Sequence, residues 1–343
     1  GIATVVLERS SRAHVLSRIR AGVLEWGSVE LLREAGIGAR MDAQGLPHDG
    51  TYLTDGDRMV HIEFKALTGR RVMIYGQTEV TEDLYAAQDA MGTTILHGVE
   101  DVVIEDLDAA QASVSFTVDG ARRTLTCAYV AGCDGFHGVS RKTIPEAKRQ
   151  EFERVYPFGW LGILSRTPPV HDELIYANSE HGFALASMRN PNLVRYYVQV
   201  PLSDKVEDWS DDRFWTEFKR RIPAQAAAAL VTGPSIEKSI APLRSFVSEP
   251  LRWGRLLLLG DAAHIVPPTG AKGLNLAFSD VHYASEALIA ALTHGSTAGI
   301  DGYSARALQR IWKAMRFSWQ MTTMLHQFEG EDSFAAQMRR ATL

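Results

Sequence analysis

The stretch Leu256-Leu-Leu-Leu-Gly260-Asp261-Ala-Ala-His264-Ile-Val-Pro267-Pro268-Thr269-Gly270-Ala-Lys272-Gly273-Leu274-Asn275 decides the fold. Four leucines between Arg255 and Gly260 read as a short buried strand, and Asp261 follows it where open α/β sheets bind their ligands. A carboxylate there accepts hydrogen bonds from ligand hydroxyls. Pro267 and Pro268 keep the backbone extended, and Gly270 and Gly273 let it approach a flat ligand before an apolar helix opens near Leu274. The amides of that helix start carry partial positive charge, which suits a ligand edge where negative charge develops. An ordinary strand-turn-helix is the alternative, but it needs no such density of Gly, Pro and Asp.

Working outward, 343 residues allow two or three domains around sizeable cores, and 45% apolar with 22% charged residues is an ordinary globular composition. Thirty-six Lys and Arg against 41 acids give a formal charge of -5, which leaves no electrostatic footprint for nucleic acid or an anionic membrane. Cys127 and Cys133 are too few for a disulfide framework or a zinc site, and no apolar run approaches a membrane span. The expected location is the cytoplasm.

Ala3–Leu7 reads as a β-branched strand closed by Glu8, and an acid in that position suits a ribose hydroxyl. In dinucleotide-binding folds such an acid closes the second strand, about twenty residues after a Gly-x-Gly-x-x-Gly turn. The sequence contains no such turn, so the expectation is that it begins inside the fold, after the first strand and its phosphate turn. Residues 28–37 are a helical pattern, Ile74–Glu79 leads from a strand into a helix, and Thr124–Gly135 reads as a second strand ending in Asp134-Gly135. From about 155 to 240 longer alternating strands appear, with a helix opening at Pro223, and beyond 275 the pattern is helical. The expected class is α/β with α+β character. It has a Rossmann-like three-layer unit over residues 1–150, discontinuous and also drawing on about 240–275, an antiparallel-sheet unit over 151–240, and a helical region over 276–343. Within that last region Trp312, Met315, Trp319 and Thr322 or Thr323 recur at helical spacing, as a core or subunit face does.

Phe183–Val200 reads as two strands around an Asn190-Pro191-Asn192 turn. Strand period puts Ser187 with Arg189, and Arg195 with Tyr197. If the two faces coincide, two guanidiniums, a hydroxyl and a phenol converge, which fits a small aromatic carboxylate; a solvated hairpin face is the alternative. Tyr176 is either a contact for a substrate phenol or a buried tyrosine with a satisfied hydroxyl. Asp134 through Arg141 joins a strand-end acid to His137 and Arg141, with Arg244 a further phosphate-binding candidate, while His137 and His264 taken singly read as packing residues. The histidines lack metal-ligand spacing, so no metal is expected.

Taken together these residues resemble the single-component flavin-dependent aromatic hydroxylases over essentially the whole chain. Gly260-Asp261 and Asp134-Gly135 mark the broad family. The narrower likeness lies in Arg18-Ile-Arg20-Ala-Gly22-Val-Leu-Glu25, Tyr75-Gly-Gln77-Thr78, the Ser187/Arg189/Arg195/Tyr197 hairpin and Pro267 through Asn275. The resemblance implies FAD, with Glu8 at the adenosine ribose, Arg20 at the pyrophosphate, Gln77, Asp134 and Asp261 along the middle, and Arg18 among the cofactor-binding residues. Lys272, Leu274 and Asn275 would then lie at the isoalloxazine, and Arg195 would hold the flavin. It places the substrate carboxylate on Ser187 and Arg189 with Tyr197 assisting, Tyr176 on the phenol oxygen, and the Pro268 and Thr269 backbone at that same end. Arg9, His14, Arg18, His137, Arg141 and Arg244 become the nicotinamide-coenzyme surface.

The implied reaction is hydroxylation of 4-hydroxybenzoate to 3,4-dihydroxybenzoate with NAD(P)H and O2 through a flavin C4a-hydroperoxide, in a homodimer. Tyr176, Pro268 and His48 form the implied catalytic set, with Tyr176 the first member of a proton relay and His48 its solvent-side end. The glycine turn and the family's last segment, with its relay tyrosine, are the departures. His14 stands where the best-known members carry tyrosine, which leaves NADPH and NADH both open. A sibling hydroxylase acting on another phenolic acid such as 3-hydroxybenzoate, and a non-catalytic ligand-binding form, are the other readings. A plain nicotinamide dehydrogenase explains neither the Pro-Pro-Thr-Gly-Ala-Lys-Gly segment nor the hairpin.

Overall fold

A computed structural model describes residues 1–18 and 22–343. Its first part contains β1 (Val5–Glu8), α1 (Arg12–Ser17), β2 (Val23–Glu25), α2 (Trp26–Glu34), α3 (Ala39–Gln44), β3 (Leu46–His48), β4 (Thr51–Asp55), β5 (Arg58–Ile62), α4 (Phe64–Thr68), β6 (Val72–Ile74), α5 (Gln77–Met91) and β7 (Thr94–His97). A meander follows, β8 (Glu100–Glu105), β9 (Ala112–Val118) and β10 (Ala121–Cys127), then β11 (Val130–Gly132) and α6 (Ser140–Thr143). The long strands are β12 (Gln150–Ser165), β13 (Ile175–Asn178), β14 (Ala184–Asn190), β15 (Leu193–Pro201) and, after α7 (Asp211–Lys219) and α8 (Ala224–Ala229), β16 (Ser235–Glu249). The chain ends with β17 (Arg252–Trp253), β18 (Leu256–Leu258), β19 (His264–Ile265), α9 (Gly273–His294), α10 (Ala298–Leu325) and α11 (Ser333–Arg340).

The Leu256 run is the buried strand its composition requires: β18 is fully enclosed and pairs in parallel with β11, Val130 against Leu256. β1 and β7 form a second parallel pair. Parallel pairing needs both faces covered; α9 and α10 supply part of the cover through Leu276, Ile300, Tyr303 and Ile311. The Tyr303 hydroxyl donates to the Leu258 carbonyl at 2.8 Å and ties α10 to the strand beside the Asp261 turn.

Two sequence expectations change here. Thr124–Gly135 is not one strand. It breaks at Ala128-Tyr129, because β10 belongs to the exposed meander while β11 enters the buried parallel pair. The antiparallel sheet also reaches outside 151–240: its eight strands run β19-β16-β12-β15-β14-β13-β4-β5, so residues 51–62 and 264–265 extend it at its two edges. Pairing decides this, since β4 lies parallel to β13, with Tyr52 opposite Ile175 and Leu53 opposite Tyr176.

One core under this sheet holds Tyr156, Phe158, Trp160, Phe183, Tyr196, Phe214 and Phe218. Each fully buried ring adds roughly 1.5–3 kcal/mol over an exposed one. A small separate core joins Leu24, Val29, Met41, Met73 and Tyr75 to Leu274 and Phe278 at the start of α9. Among the described residues no helix is long and apolar enough to cross a membrane.

Candidate active site and cofactor cradle

Strand register assembles the site. Tyr176 lies opposite Leu185, Leu185 opposite Tyr197, Tyr197 opposite Gly162, and Gly162 opposite Ser239, so one cross-strand row spans five strands on one face. Ser187 and Arg195 face each other in the next row, so the two hairpin faces, whose coincidence strand period alone left open, meet there, and the register shifts between Met188 and Asn190. The Asn190-Pro191-Asn192 turn is closed by the Asn192 amide donating to Asn190 Oδ1 at 2.9 Å.

The two arginines differ in their partners. Arg195 is buried and reaches across β12, donating from Nη1 to Glu237 Oε1 at 2.8 Å and from Nη2 to Ser239 Oγ at 3.0 Å. Gly162 makes that reach possible, because a Cβ there would stand 2.7 Å from the Tyr197 ring and 3.2 Å from Arg195 Nε. Arg189 donates from Nη1 to Ser187 Oγ at 2.9 Å and forms no salt bridge among the described residues. Burial pushes the Arg189 guanidinium below its ordinary pKa, against the pull of Tyr197 and Glu79. A half-buried cation without an acid partner among the described residues favours an anionic ligand.

Tyr176 closes the other end. Its ring is buried, its hydroxyl meets the Gly270 backbone N–H, and burial pushes its pKa up to about 12. The Gly270 segment is a turn in which the Ala271 amide donates to the Pro268 carbonyl at 3.0 Å, with Gly270 at φ 93° and Ala271 at φ 53°. A left-handed alanine costs roughly 1–2 kcal/mol and persists where surroundings fix it. Here α10 fixes it: Thr322 Oγ1 donates to the buried Thr269 Oγ1 at 3.0 Å, and a Cβ on Gly270 would stand 2.6 Å from Phe317. Pro268 is exposed, so the turn offers backbone to the sheet face, while the Thr269 side chain points into the protein.

The 22-residue α9 opens with no side-chain cap, which leaves its first amides for a ligand. The Asn275 side chain is not directed at that ligand. Its Oδ1 accepts from Glu25 N and Ser28 Oγ, both at 2.8 Å, and its Nδ2 donates to the Val23 and Ala271 carbonyls, so it fastens the turn to β2. Lys272 pairs with Glu25, whose second oxygen accepts from Arg310 Nη2 at 2.9 Å. The charge of Lys272 is thus shared with an acid. Leu274 joins the small core by its side chain.

Glu8 is half-buried and accepts from Ser10 N at 2.7 Å through one oxygen. Arg9, His14 and Arg18 are exposed beside it, and Arg20 lies outside the described residues. Gln77 opens α5, and Asp134 and Asp261 are exposed at the ends of the parallel pair. Asp134 folds back onto Ser140 N at 2.8 Å, over Gly138, where a Cβ would stand within 2.5 Å of the carboxylate. An uncapped helix start, strand-end carboxylates and a glycine-lined turn fit FAD.

Around the expected coenzyme surface, Phe136 lies between the Arg141 and Arg244 guanidiniums, 4.7 and 4.6 Å from its centroid, and packs on exposed His137. Arg244 is half-exposed and pairs with Glu153. Arg141 corrects its expectation: it is buried, and its nitrogens donate to Glu151, the Ala262 carbonyl and the Phe136 carbonyl. It braces the fold and has no face for a coenzyme. His264 is also structural, bonded at 2.6 Å to Asp280, which accepts from Gly260 N at 2.9 Å. His48 is buried, and neither of its ring nitrogens has a hydrogen-bond partner among the described residues. Sequence reasoning missed Glu25, Glu237, Arg310 and Asp280. Only Glu25 carried a signal, as an acid closing a short strand like Glu8.

The family model described as "FAD binding domain" matches residues 1–318. The chain belongs to that family and is an FAD-dependent aromatic monooxygenase. A curated p-hydroxybenzoate hydroxylase of Acinetobacter baylyi is 54% identical over 344 residues, covering 100% of this chain and 85% of that protein. A para-nitrophenol 4-monooxygenase of a Pseudomonas species is 29% identical over 222 residues, 61% of this chain and 51% of its own length. Among solved structures, p-nitrophenol 4-monooxygenase PnpA of Pseudomonas putida superposes with a TM-score of 0.82 at 17% identity, over 100% of this chain and 87% of that one. At that identity the likeness shows the fold.

Proposed function

We propose that this enzyme hydroxylates 4-hydroxybenzoate beside its phenol to give 3,4-dihydroxybenzoate, consuming NAD(P)H and O2. The carrying observation is the half-buried Arg189, which lies beside Ser187 and has no salt-bridge partner among the described residues, on the sheet face that also presents Tyr176. The substrate carboxylate takes the Arg189 guanidinium and the Ser187 hydroxyl, with Tyr197 assisting. Its ring lies over Leu185, which is apolar and excludes water. The phenol oxygen meets Tyr176 and the Pro268–Thr269 backbone. Held protonated up to about pH 12, Tyr176 donates to the phenolate and passes the departing proton toward His48.

Bound FAD supplies the electron-transfer and oxygen-activating chemistry. The chain holds it through Glu8, Arg18, Arg20, Gln77, Asp134 and Asp261, with the Leu274 and Asn275 amides at its ring, Lys272 nearby and Arg195 behind Tyr197. Arg9, His14, Arg18, His137 and Arg244 form the coenzyme face. Two copies join through α10, where Trp312, Phe317 and Trp319 are exposed. Use of NAD(P)H, a coenzyme kept inside cells, supports a cytoplasmic setting.

Protein supplied with FAD is incubated with NADPH or NADH and either 4-hydroxybenzoate or 3-hydroxybenzoate, and products are separated chromatographically. The expected result is 3,4-dihydroxybenzoate formed from the 4-isomer in step with coenzyme oxidation. Coenzyme oxidation without that product overturns the substrate assignment.

A further inference from the structure

His48 closes β3 in a buried position, and neither of its ring nitrogens has a hydrogen-bond partner among the described residues. The surrounding charges come from several elements. The segment before β13 brings His171, Asp172 and Glu173, which act electrostatically on His48. β5 and the residue after it bring His61 and Glu63, and Asp49, next in the chain, pairs with Arg71 and Lys65. Glu173 is held at both oxygens: Oε1 accepts from Gly50 N at 2.8 Å and Oε2 meets His61 Nε2 at 2.6 Å. The Tyr52 ring stacks on His61 at 4.5 Å and meets His171 edge-on at 4.4 Å, and the Glu173 amide donates to His171 Nδ1 at 3.1 Å.

This cluster sits at the Tyr176 end of the sheet. Tyr52 N and Thr51 Oγ1 both donate to the Leu174 carbonyl, at 2.8 and 3.1 Å. Tyr176 stands two residues further on, about 7 Å along the strand. His61 and Glu173 are partly exposed, so the cluster spans buried ring and solvent.

We propose that Glu173, clamped between the Gly50 amide and His61, is a positioning residue for proton release: its carboxylate stabilises protonated His48 as the phenol proton leaves past Tyr176, and His61 exchanges that proton with water. The step breaks the phenol O–H bond, makes and then breaks a His48 N–H bond, and leaves a phenolate and one solvent proton. The inference rests on the hydroxylase reading above. Burial favours neutral His48 while Glu173 and Asp172 oppose it, so neutralising Glu173 makes His48 a poorer acceptor.

The test titrates the oxidised holoenzyme–4-hydroxybenzoate complex, following phenolate absorbance against pH, together with single-turnover hydroxylation. Glu173→Gln is expected to slow proton release, followed with an indicator dye after substrate binding, about tenfold, while the phenolate midpoint does not rise, because removing a carboxylate's charge does not disfavour a phenolate. Hydroxylation below that midpoint falls about tenfold and recovers at higher pH, while substrate affinity at acidic pH is unchanged. Glu173→Asp restores most of the release rate. His61→Gln keeps a donor to Glu173 but carries no proton, and slows release likewise. If wild-type protein forms product and both glutamine variants leave the release rate unmoved, the proposal is overturned alone. A wild-type complex that forms no 3,4-dihydroxybenzoate overturns the hydroxylase reading and this proposal with it.

Discussion

At the scale of single residues, Arg189 and Arg195 show how partners decide roles. They share a sheet face, yet Arg195 pairs with Glu237 while Arg189 meets Ser187 and has no acid partner among the described residues. Arg189→Ala is expected to weaken 4-hydroxybenzoate binding by about 2–4 kcal/mol, since the carboxylate loses a charged partner in an enclosed site; equilibrium titration of flavin absorbance or fluorescence measures it. Arg189→Lys recovers only part, because an ammonium cannot fork onto both oxygens. Tyr176→Phe removes a hydroxyl but keeps the ring, so binding stays within a few-fold and hydroxylation slows while coenzyme oxidation continues. Equal product per coenzyme in wild type and variant removes Tyr176 from the relay. The Ser187, Arg189, Arg195 and Tyr197 convergence was legible because strand period and an Asn-Pro-Asn turn define a face. The Gly270 contact to Tyr176 was not, since nothing local to either residue specifies an approach across 94 positions.

Among the elements, the junction of α9 with β2 depends on one side chain. Asn275 satisfies the Glu25 amide, the Ser28 hydroxyl and the Val23 and Ala271 carbonyls, so it sets where the uncapped helix start points. Asn275→Ala leaves the buried Ser28 hydroxyl and several backbone groups unpaired, and is expected to cost about 2–3 kcal/mol in stability and to weaken FAD. Thermal unfolding of apoprotein and flavin titration separate the two effects; an unchanged FAD affinity refutes the orienting role. The strand-turn-helix itself was readable from the leucine run, the prolines and the glycines. The break of Thr124–Gly135 into β10 and β11 was not, because both halves carry strand-compatible residues and only sheet membership separates them. The same limit hid the Glu25–Arg310 pair, which joins residues 285 apart.

Over the whole molecule, His326 links the last long helix to the antiparallel sheet. Its Nε2 accepts from Trp160 Nε1 at 2.7 Å, its Nδ1 donates to the Thr322 carbonyl at 2.8 Å, and it stacks between Phe158 and Phe183. Burial pulls its pKa down to about 3, so the neutral ring is the folded form. The unfolded chain takes up this proton near pH 6.5 and the folded one does not. Stability is therefore fully present above about pH 6.5 and declines below it by up to about 1.4 kcal/mol per pH unit. Urea unfolding between about pH 4.5 and 7.5 measures the slope, which His326→Gln reduces by this one group's share. The α/β character and a separate alternating sheet were legible in the sequence. The capture of β4 and β5 by that sheet was not, since short strands carry no mark of which partner they pair with.

The parallel pairing of β11 with β18 joins residues 126 positions apart, and the carboxylates that follow the two strands, Asp134 and Asp261, come to the same end of the pair only once both strands are in place. During translation a nascent chain emerging from the ribosome therefore lacks a flavin-competent cleft until the amino end of α9 has cleared the exit tunnel. Flavin loading is expected to follow synthesis of α9, which flavin binding by released chains of stepwise length would time. A cell short of riboflavin would then accumulate finished but colourless polypeptides, not stalled ones.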